Sequence, residues 1–165
     1  MIVASASKIE ERIKIIANQI DVDYKGKKID VICLTNSAMF FCSDLVRKLR
    51  TPLELHLLSF ENYKGENTNG EVKLTLDVNS PLMNRHVIVV EGIVVSGRTP
   101  NYIITMLSGR APASLYMCAL GVKRNMMTKN IPLKYCAFEL GKEIVVGYGV
   151  GNNEQKCLPY LTTLK

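Results

Sequence analysis

The sequence has no apolar run approaching the ~20 residues that a membrane-spanning helix needs. Its first stretch, MIVASASKIEERIK, lacks a basic segment ahead of a long apolar core, so a secretory signal is not expected. Five cysteines are present, Cys33, Cys42, Cys118, Cys136 and Cys157, but they are odd in number and none forms a CxxC pair. This argues against a disulfide framework and against a metal cluster; reduced, mostly buried thiols of a cytoplasmic protein are expected instead. There is also no basic stripe. The 21 lysines and arginines are scattered among 15 acids, for a net charge of +6. Nucleic acid is therefore not an expected partner, whereas a phosphorylated small molecule suits the same diffuse positive field. No internal repeat or linker interrupts the 165 residues. With 47% apolar and 22% charged residues, one α/β domain spanning 1–165 is expected.

The chain is organised around HVIVVEGIVVSGRT, residues 86–99. The β-branched run Val87-Ile88-Val89-Val90 suits a strand buried on both faces of a parallel sheet. An acid, Glu91, follows, and then a turn of small residues, Ser96-Gly97-Arg98-Thr99. Ile103, Ile104 and Leu107 continue at helical spacing, with Pro100 tolerated in the first turn. A strand, a turn of small and hydroxylated residues and a helix N-terminus together build a phosphate cradle, because backbone N–H groups and the helix dipole converge on an anion. Many strand–helix connections carry Ser-Gly for geometric reasons alone.

The flanking chain reads as follows. Residues 5–20 predict a helix, with Ser7 and Glu10 as a capping box and Ile9, Ile13, Ile16 and Ile20 as its apolar stripe. A buried strand at 30–35 leads through Asn36-Ser37 into a helix at 38–49, with Phe40, Phe41, Leu45 and Leu49 inward. This second strand–turn–helix unit places a second loop at the strand ends where ligands of open α/β sheets bind. Strands at 53–59 and 71–77 enclose the polar ENYKGENTNG and predict an antiparallel flap, with residues 60–70 as a lid. A strand at 113–120 runs into Lys123, which is well placed to meet a ligand. Short strands follow at 135–138 and 144–146, then a glycine-rich turn at 147–153 and an edge segment at 158–164.

Together these stretches resemble the hypoxanthine-guanine phosphoribosyltransferases of purine salvage. The likeness rests on IEERIKIIANQIDVDYKGK, AMFFCSDLVRKL, GEVKL, VIVVEGIVVSGRT, the Lys123 region, EIVVGYG and LPY. It implies the type I phosphoribosyltransferase fold, a mostly parallel sheet flanked by helices with a small antiparallel flap and hood. It also implies a reaction, in which N9 of a 6-oxopurine displaces pyrophosphate from phosphoribosyl pyrophosphate, with Mg2+, to give IMP or GMP. A homodimer or homotetramer is the implied assembly.

Roles follow by position. Val95, Ser96, Gly97, Arg98 and Thr99 match the 5′-phosphate loop. Glu91 matches the first acid of the motif, which faces the ribose hydroxyls and, indirectly, the metal. Lys123 matches the lysine that donates to the purine 6-oxo group. Ile144 matches a usually aromatic residue covering the purine, and Val145 offers backbone groups to the purine edge. Thr35 and Asn36 lie in the pyrophosphate loop, and Lys156 falls, within one place, at a tail arginine that reaches pyrophosphate.

The sequence departs from the pattern at several points. The second acid of the central motif is Gly92, and the third, the proposed general base near purine N7, is Val95. Leu34-Thr35-Asn36-Ser37 replaces a Leu-Lys-Gly-Ser pyrophosphate loop, and Gly151 or Asn152 replaces a metal-binding tail acid. Losing a general base typically costs ~10²–10⁴-fold in rate. Two readings follow: a salvage enzyme with weakened turnover, or a nucleotide-binding regulatory or inactive relative. Another base specificity, xanthine or a pyrimidine, fits less well because Lys123 and VVGYG suit oxopurines.

Overall fold

The structure, a computed structural model, describes residues 1–35, 37–62, 72–151 and 154–164. Nine strands and three α-helices are assigned among them: β1 (Ile2–Ala4), α1 (Ala6–Asp23), β2 (Ile29–Leu34), α2 (Met39–Val46), β3 (Leu53–Asn62), β4 (Val72–Leu76), β5 (His86–Val94), α3 (Arg98–Ser108), β6 (Ser114–Val122), β7 (Leu133–Glu139), β8 (Val145–Val146) and β9 (Leu161–Thr163). No helix among the described residues is long and apolar enough to cross a membrane.

The main sheet has the order β4-β3-β2-β5-β6-β7, all parallel except β4, which runs antiparallel to β3 as the returning arm of the flap. Every residue of β2 is buried, and so are Val87–Val90 of β5. That explains the unbroken apolar runs, since a strand covered on both faces has no solvent side on which to alternate. Val31, Cys33, Ile88 and Val90 point to the layer holding α1 and α2. Ile32, Leu34, Val87 and Val89 point to α3, through Ile103 and Leu107. From β2 the chain winds outward to β3 and β4, and from β5 it winds the other way to β6 and β7. The winding reverses between β2 and β5, and a crevice opens beyond the carboxyl ends of such a pair.

The predicted elements differ from the observed ones in a few places. The cap of α1 is Ser5, whose side chain accepts from the Lys8 amide, so Ser7 lies inside the helix and makes no capping box. Helix α2 stops at Val46, and Phe40 turns outward, 37% exposed, to meet the Tyr148 ring edge-on. The tail is not an edge. β9 sits between β1 and β8 in a second, antiparallel sheet, and β1 gave no signal in the sequence because it is only three residues long. Ala4, Val145, Val150 and Leu161 bind that sheet to the core under α1. The flap begins within β3, at Phe60, while the remainder of 60–70 from residue 63 on lies outside the described residues.

Candidate active site

The central strand outruns its neighbour. The last β2–β5 pair is Cys33↔Val90, whereas β5 continues to Val94, held on its other side by Ala119, Gly121 and Val122 of β6. Glu91 and Gly92 therefore stand beyond the end of β2, against the loop that leads into α2. The Glu91 side chain is buried, and its Oε1 accepts from the Ser37 hydroxyl and from the Gly92 amide, the latter at 2.7 Å. Burial pushes the Glu91 carboxyl above its ordinary range, and the two donors work against that shift. Gly92 is required by its neighbour rather than by its own backbone angles: a β-carbon there would lie 2.5 Å from the Ser37 carbonyl oxygen and 2.8 Å from the Ser37 Cβ.

The turn that follows is held from behind. The Ser96 carbonyl accepts from the amides of Thr128 at 2.9 Å and Lys129 at 3.3 Å, and from the Thr128 hydroxyl at 3.2 Å. Gly97, at φ +76°, adopts a left-handed conformation that side chains disfavour. The Lys129 carbonyl also lies 3.0 Å from where its β-carbon would be. The N-cap of α3 is this glycine, which has no side chain to offer, and the Arg98 amide that opens the helix donates to the Ser96 hydroxyl at 3.3 Å. The first amides of a helix have no helical acceptor, so such a terminus can seat an anion.

These parts enclose a cavity of about 220 Å³. Ser37, Glu91, Ile93, Val95, Ser96 and Thr99 line it, with Phe60 leaning in from β3. Val95 presents an apolar, partly exposed side chain here and offers no proton acceptor.

The other sequence-predicted residues fall around this cavity. Lys123 follows β6 with its amide on the Val94 carbonyl at 2.9 Å; its buried ammonium donates to the Glu143 carbonyl at 2.6 Å. Val145 is buried in β8. Ile144, 63% exposed, lines a different groove with Met1, Ile2, Val3, Thr163 and Leu164, so this structure does not bring it to the Glu91 cavity. Arg98 is exposed on the turn, and Thr35 is half-buried with its amide on the Leu58 carbonyl at 3.0 Å. Asn36 and Asn152 lie outside the described residues. The Lys156 carbonyl accepts from the Gly149 amide at 2.9 Å, and the Cβ position of Gly149 is 3.3 Å from the Ser37 carbonyl, so the tail turn reaches the same loop. Sequence reasoning did not single out Ser37 or Ile93 as lining the site. Their signal was a glycine standing directly after a buried acid, which implies that something comes close.

The sequence model of the phosphoribosyl transferase domain matches residues 3–150. The chain belongs to this family. Among its relatives is a hypoxanthine phosphoribosyltransferase of Haemophilus influenzae, 32% identical over 90% of this chain and 86% of its own length. A hypoxanthine-guanine-xanthine phosphoribosyltransferase of Tritrichomonas foetus is 31% identical over 95% of this chain and 87% of its own. The Trypanosoma cruzi hypoxanthine phosphoribosyltransferase, solved in complex with the product IMP, superposes with a TM-score of 0.92 at 28% identity, covering 99% of this chain and 93% of that one.

Within this phosphoribosyltransferase the described residues offer a divalent ion little at the crevice. One carboxylate, Glu91, is present, and one of its oxygens is already taken by two donors. Among the described residues, the cluster with metal-ligand spacing is Asp30, Glu54 and His56, near the opposite ends of β2 and β3. Arg85 already occupies that cluster, with Nε 2.7 Å from Asp30 Oδ2 and Nη2 3.0 Å from Glu54 Oε2. The described side chains therefore do not fit a protein-held metal at the cavity.

Proposed function

We propose that the protein transfers the phosphoribosyl group of phosphoribosyl pyrophosphate to hypoxanthine or guanine, giving IMP or GMP in purine salvage, with slow turnover. The observation that carries this reading is the Ser96-Gly97 turn and α3 N-terminus at 95–99 opening into the same small cavity as Glu91. In the reaction the bond from C1 of the ribose to pyrophosphate breaks and a bond from C1 to purine N9 forms. The purine gives up a proton and pyrophosphate leaves with the displaced electron pair.

The chain's own groups divide this work. The amides of Val95 to Thr99, with the Ser96 and Thr99 hydroxyls, hold the 5′-phosphate. Glu91 accepts from the ribose hydroxyls and fixes the sugar against the base. Lys123 donates to the 6-oxo group, on exchanging its Glu143 carbonyl partner for the purine. Val145 contributes backbone groups to the purine edge, and Ile144 closes on the ring after a movement of the 142–145 segment. Thr35, Asn36 and Lys156 receive pyrophosphate. Val95 takes no proton, so solvent does, and this is why turnover is slow. Mg2+, where it takes part, would neutralise charge on the phosphoribosyl pyrophosphate, whose own oxygens would hold it. A cytoplasmic homodimer or homotetramer of single-domain chains completes the reading.

The test is chromatographic. Each base is incubated with phosphoribosyl pyrophosphate at high protein concentration, and IMP or GMP is measured. Slow product formation supports the proposal, and its absence sinks it. Gly92 and Val95 favour one alternative, a protein that binds the nucleotide without turnover. That protein would show GMP-dependent thermal stabilisation with no product.

A further inference from the structure

The turn before α3 is oriented by a segment that lies outside the cavity. The Thr128 amide at 2.9 Å, the Lys129 amide at 3.3 Å and the Thr128 hydroxyl at 3.2 Å all converge on the Ser96 carbonyl oxygen. A carbonyl oxygen has two lone pairs, so these donors fill its capacity and fix its direction. Thr128 and Lys129 belong to the connection that leaves Lys123 through the single turn Arg124–Met126. Neither lines the cavity, whereas Ser96 and Gly97 do. The peptide joining Ser96 to Gly97 is planar and trans, so its C=O and its N–H point opposite ways. With the carbonyl drawn back to the 128–129 segment, the Gly97 N–H is turned to the other side, where the cavity lies. Among the described residues this amide meets no acceptor. Its neighbours are engaged: the Arg98 amide donates to the Ser96 hydroxyl at 3.3 Å and the Asn101 amide to the Gly97 carbonyl at 2.9 Å, while Pro100 has no N–H.

Resting on the function proposed above, we infer that Thr128 is a positioning residue for the phosphate subsite, holding the Ser96 carbonyl back so that the Gly97 amide faces the 5′-phosphate. Thr128 touches neither the phosphate nor the reacting atoms. Without the brace the Ser96–Gly97 peptide is free to flip, because glycine at φ +76° has no side chain to resist the rotation. A flip would present a carbonyl oxygen to the anion in place of a donor, turning attraction into repulsion. A nucleoside without its phosphate does not meet this peptide, so the brace serves phosphate-bearing ligands alone. Thr128 is exposed and belongs to neither apolar layer, so the fold does not depend on its side chain.

The experiment combines proton–nitrogen correlation spectra with titration calorimetry of the full chain, using inorganic phosphate, GMP and guanosine as probes. Wild type is compared with Thr128→Val, which deletes the hydroxyl, Thr128→Ser, which keeps it, and Thr128→Pro, which deletes the amide as well. In wild type, inorganic phosphate and GMP are expected to move the Gly97 amide proton downfield, and guanosine to leave it in place. Thr128→Val is expected to lose about three-fold in GMP affinity and Thr128→Pro about ten-fold, with guanosine affinity unchanged in both and Thr128→Ser behaving as wild type. If the valine and proline variants keep wild-type GMP affinity, or if guanosine weakens as much as GMP, the positioning role is wrong. A Gly97 amide that ignores phosphate while GMP binds overturns the orientation assigned to the peptide. Wild type that binds neither GMP nor guanosine overturns the functional reading instead; a Gly97 response to inorganic phosphate that Thr128→Pro abolishes would then uphold the brace by itself, and its absence would remove the brace too. Should Thr128→Pro not fold, the valine and serine variants decide the matter.

Discussion

Gly92→Ala is the smallest change that tests the contact between the central strand and the crevice loop. The added carbon would lie 2.5 Å from the Ser37 carbonyl oxygen, 2.8 Å from its Cβ and 2.9 Å from its carbonyl carbon. Two of these atoms are backbone, so no side-chain rotation relieves the clash, and the loop must move by most of an ångström. Overpacking of this kind costs about 1–3 kcal/mol. The displaced Ser37 hydroxyl leaves Glu91 Oε1, and losing a hydrogen bond to a charged group costs about 1.5–3 kcal/mol. The two together give about 2.5–6 kcal/mol. At ~2–4 °C per kcal/mol for a chain of this size, the melting temperature should fall by roughly 5–24 °C. Differential scanning calorimetry of wild type, Gly92→Ala, Ser37→Ala and the double variant reads it directly. Both single changes remove the same hydrogen bond, so the double variant should cost less than their sum by about the value of that bond. A melting temperature for Gly92→Ala within a degree of wild type, or strict additivity in the cycle, would refute the close approach.

Three further outcomes follow from the same geometry. Glu91→Gln should cut turnover by about 10²-fold while raising the melting temperature at neutral pH. Burial lifts the folded-state carboxyl above its ordinary 4.5, so its contribution to stability is full below that value and is lost as pH rises through the raised one; the gain from Gln should vanish toward acidic pH in thermal scans. Val95→Asp should speed product formation, by up to ~10²-fold in initial rates, because it places a proton acceptor in the cavity where none of the described residues but Glu91 supplies one. Arg85→Ala should lower the urea midpoint, since among the described residues it leaves the fully buried Asp30 with His56 at 2.8 Å as its remaining side-chain partner.

What the sequence disclosed and what it hid have physical causes. β2 and β5 were legible because strands buried on both faces are written as continuous apolar runs. Likewise the isoleucine stripe of α1 is a local property of a helix. The spacing to Glu10 pointed to Ser7 as the cap of α1, whereas the backbone bend that decides a cap falls at Ser5. Phe40 was assigned inward on periodicity alone; the tail turn supplies Tyr148 as an outer partner, which no local pattern announces. β1 and β9 are three residues each and exist through long-range pairing, below the length at which alternation means anything. The turn before α3 was visible as Ser96-Gly97, whereas the strand end beside it was not visible as a contact surface for Ser37.

That last gap changes how the departures at the acidic motif are weighed. Taken one at a time, an acid replaced by glycine and a loop without its lysine and glycine look like two independent losses. In three dimensions, an aspartate at 92 could not coexist with the Ser37 backbone where it now lies. Restoring the acid alone would therefore expel the loop rather than rebuild a metal site. At the neighbouring acid, Ser37 and the Gly92 amide both donate to one carboxylate oxygen of Glu91. Glycine at 92 and the present course of the loop thus hold together as one arrangement. On the proposed function, that arrangement leaves the ribose phosphate to backbone donors and Glu91, with proton removal, at Val95, as the separable defect.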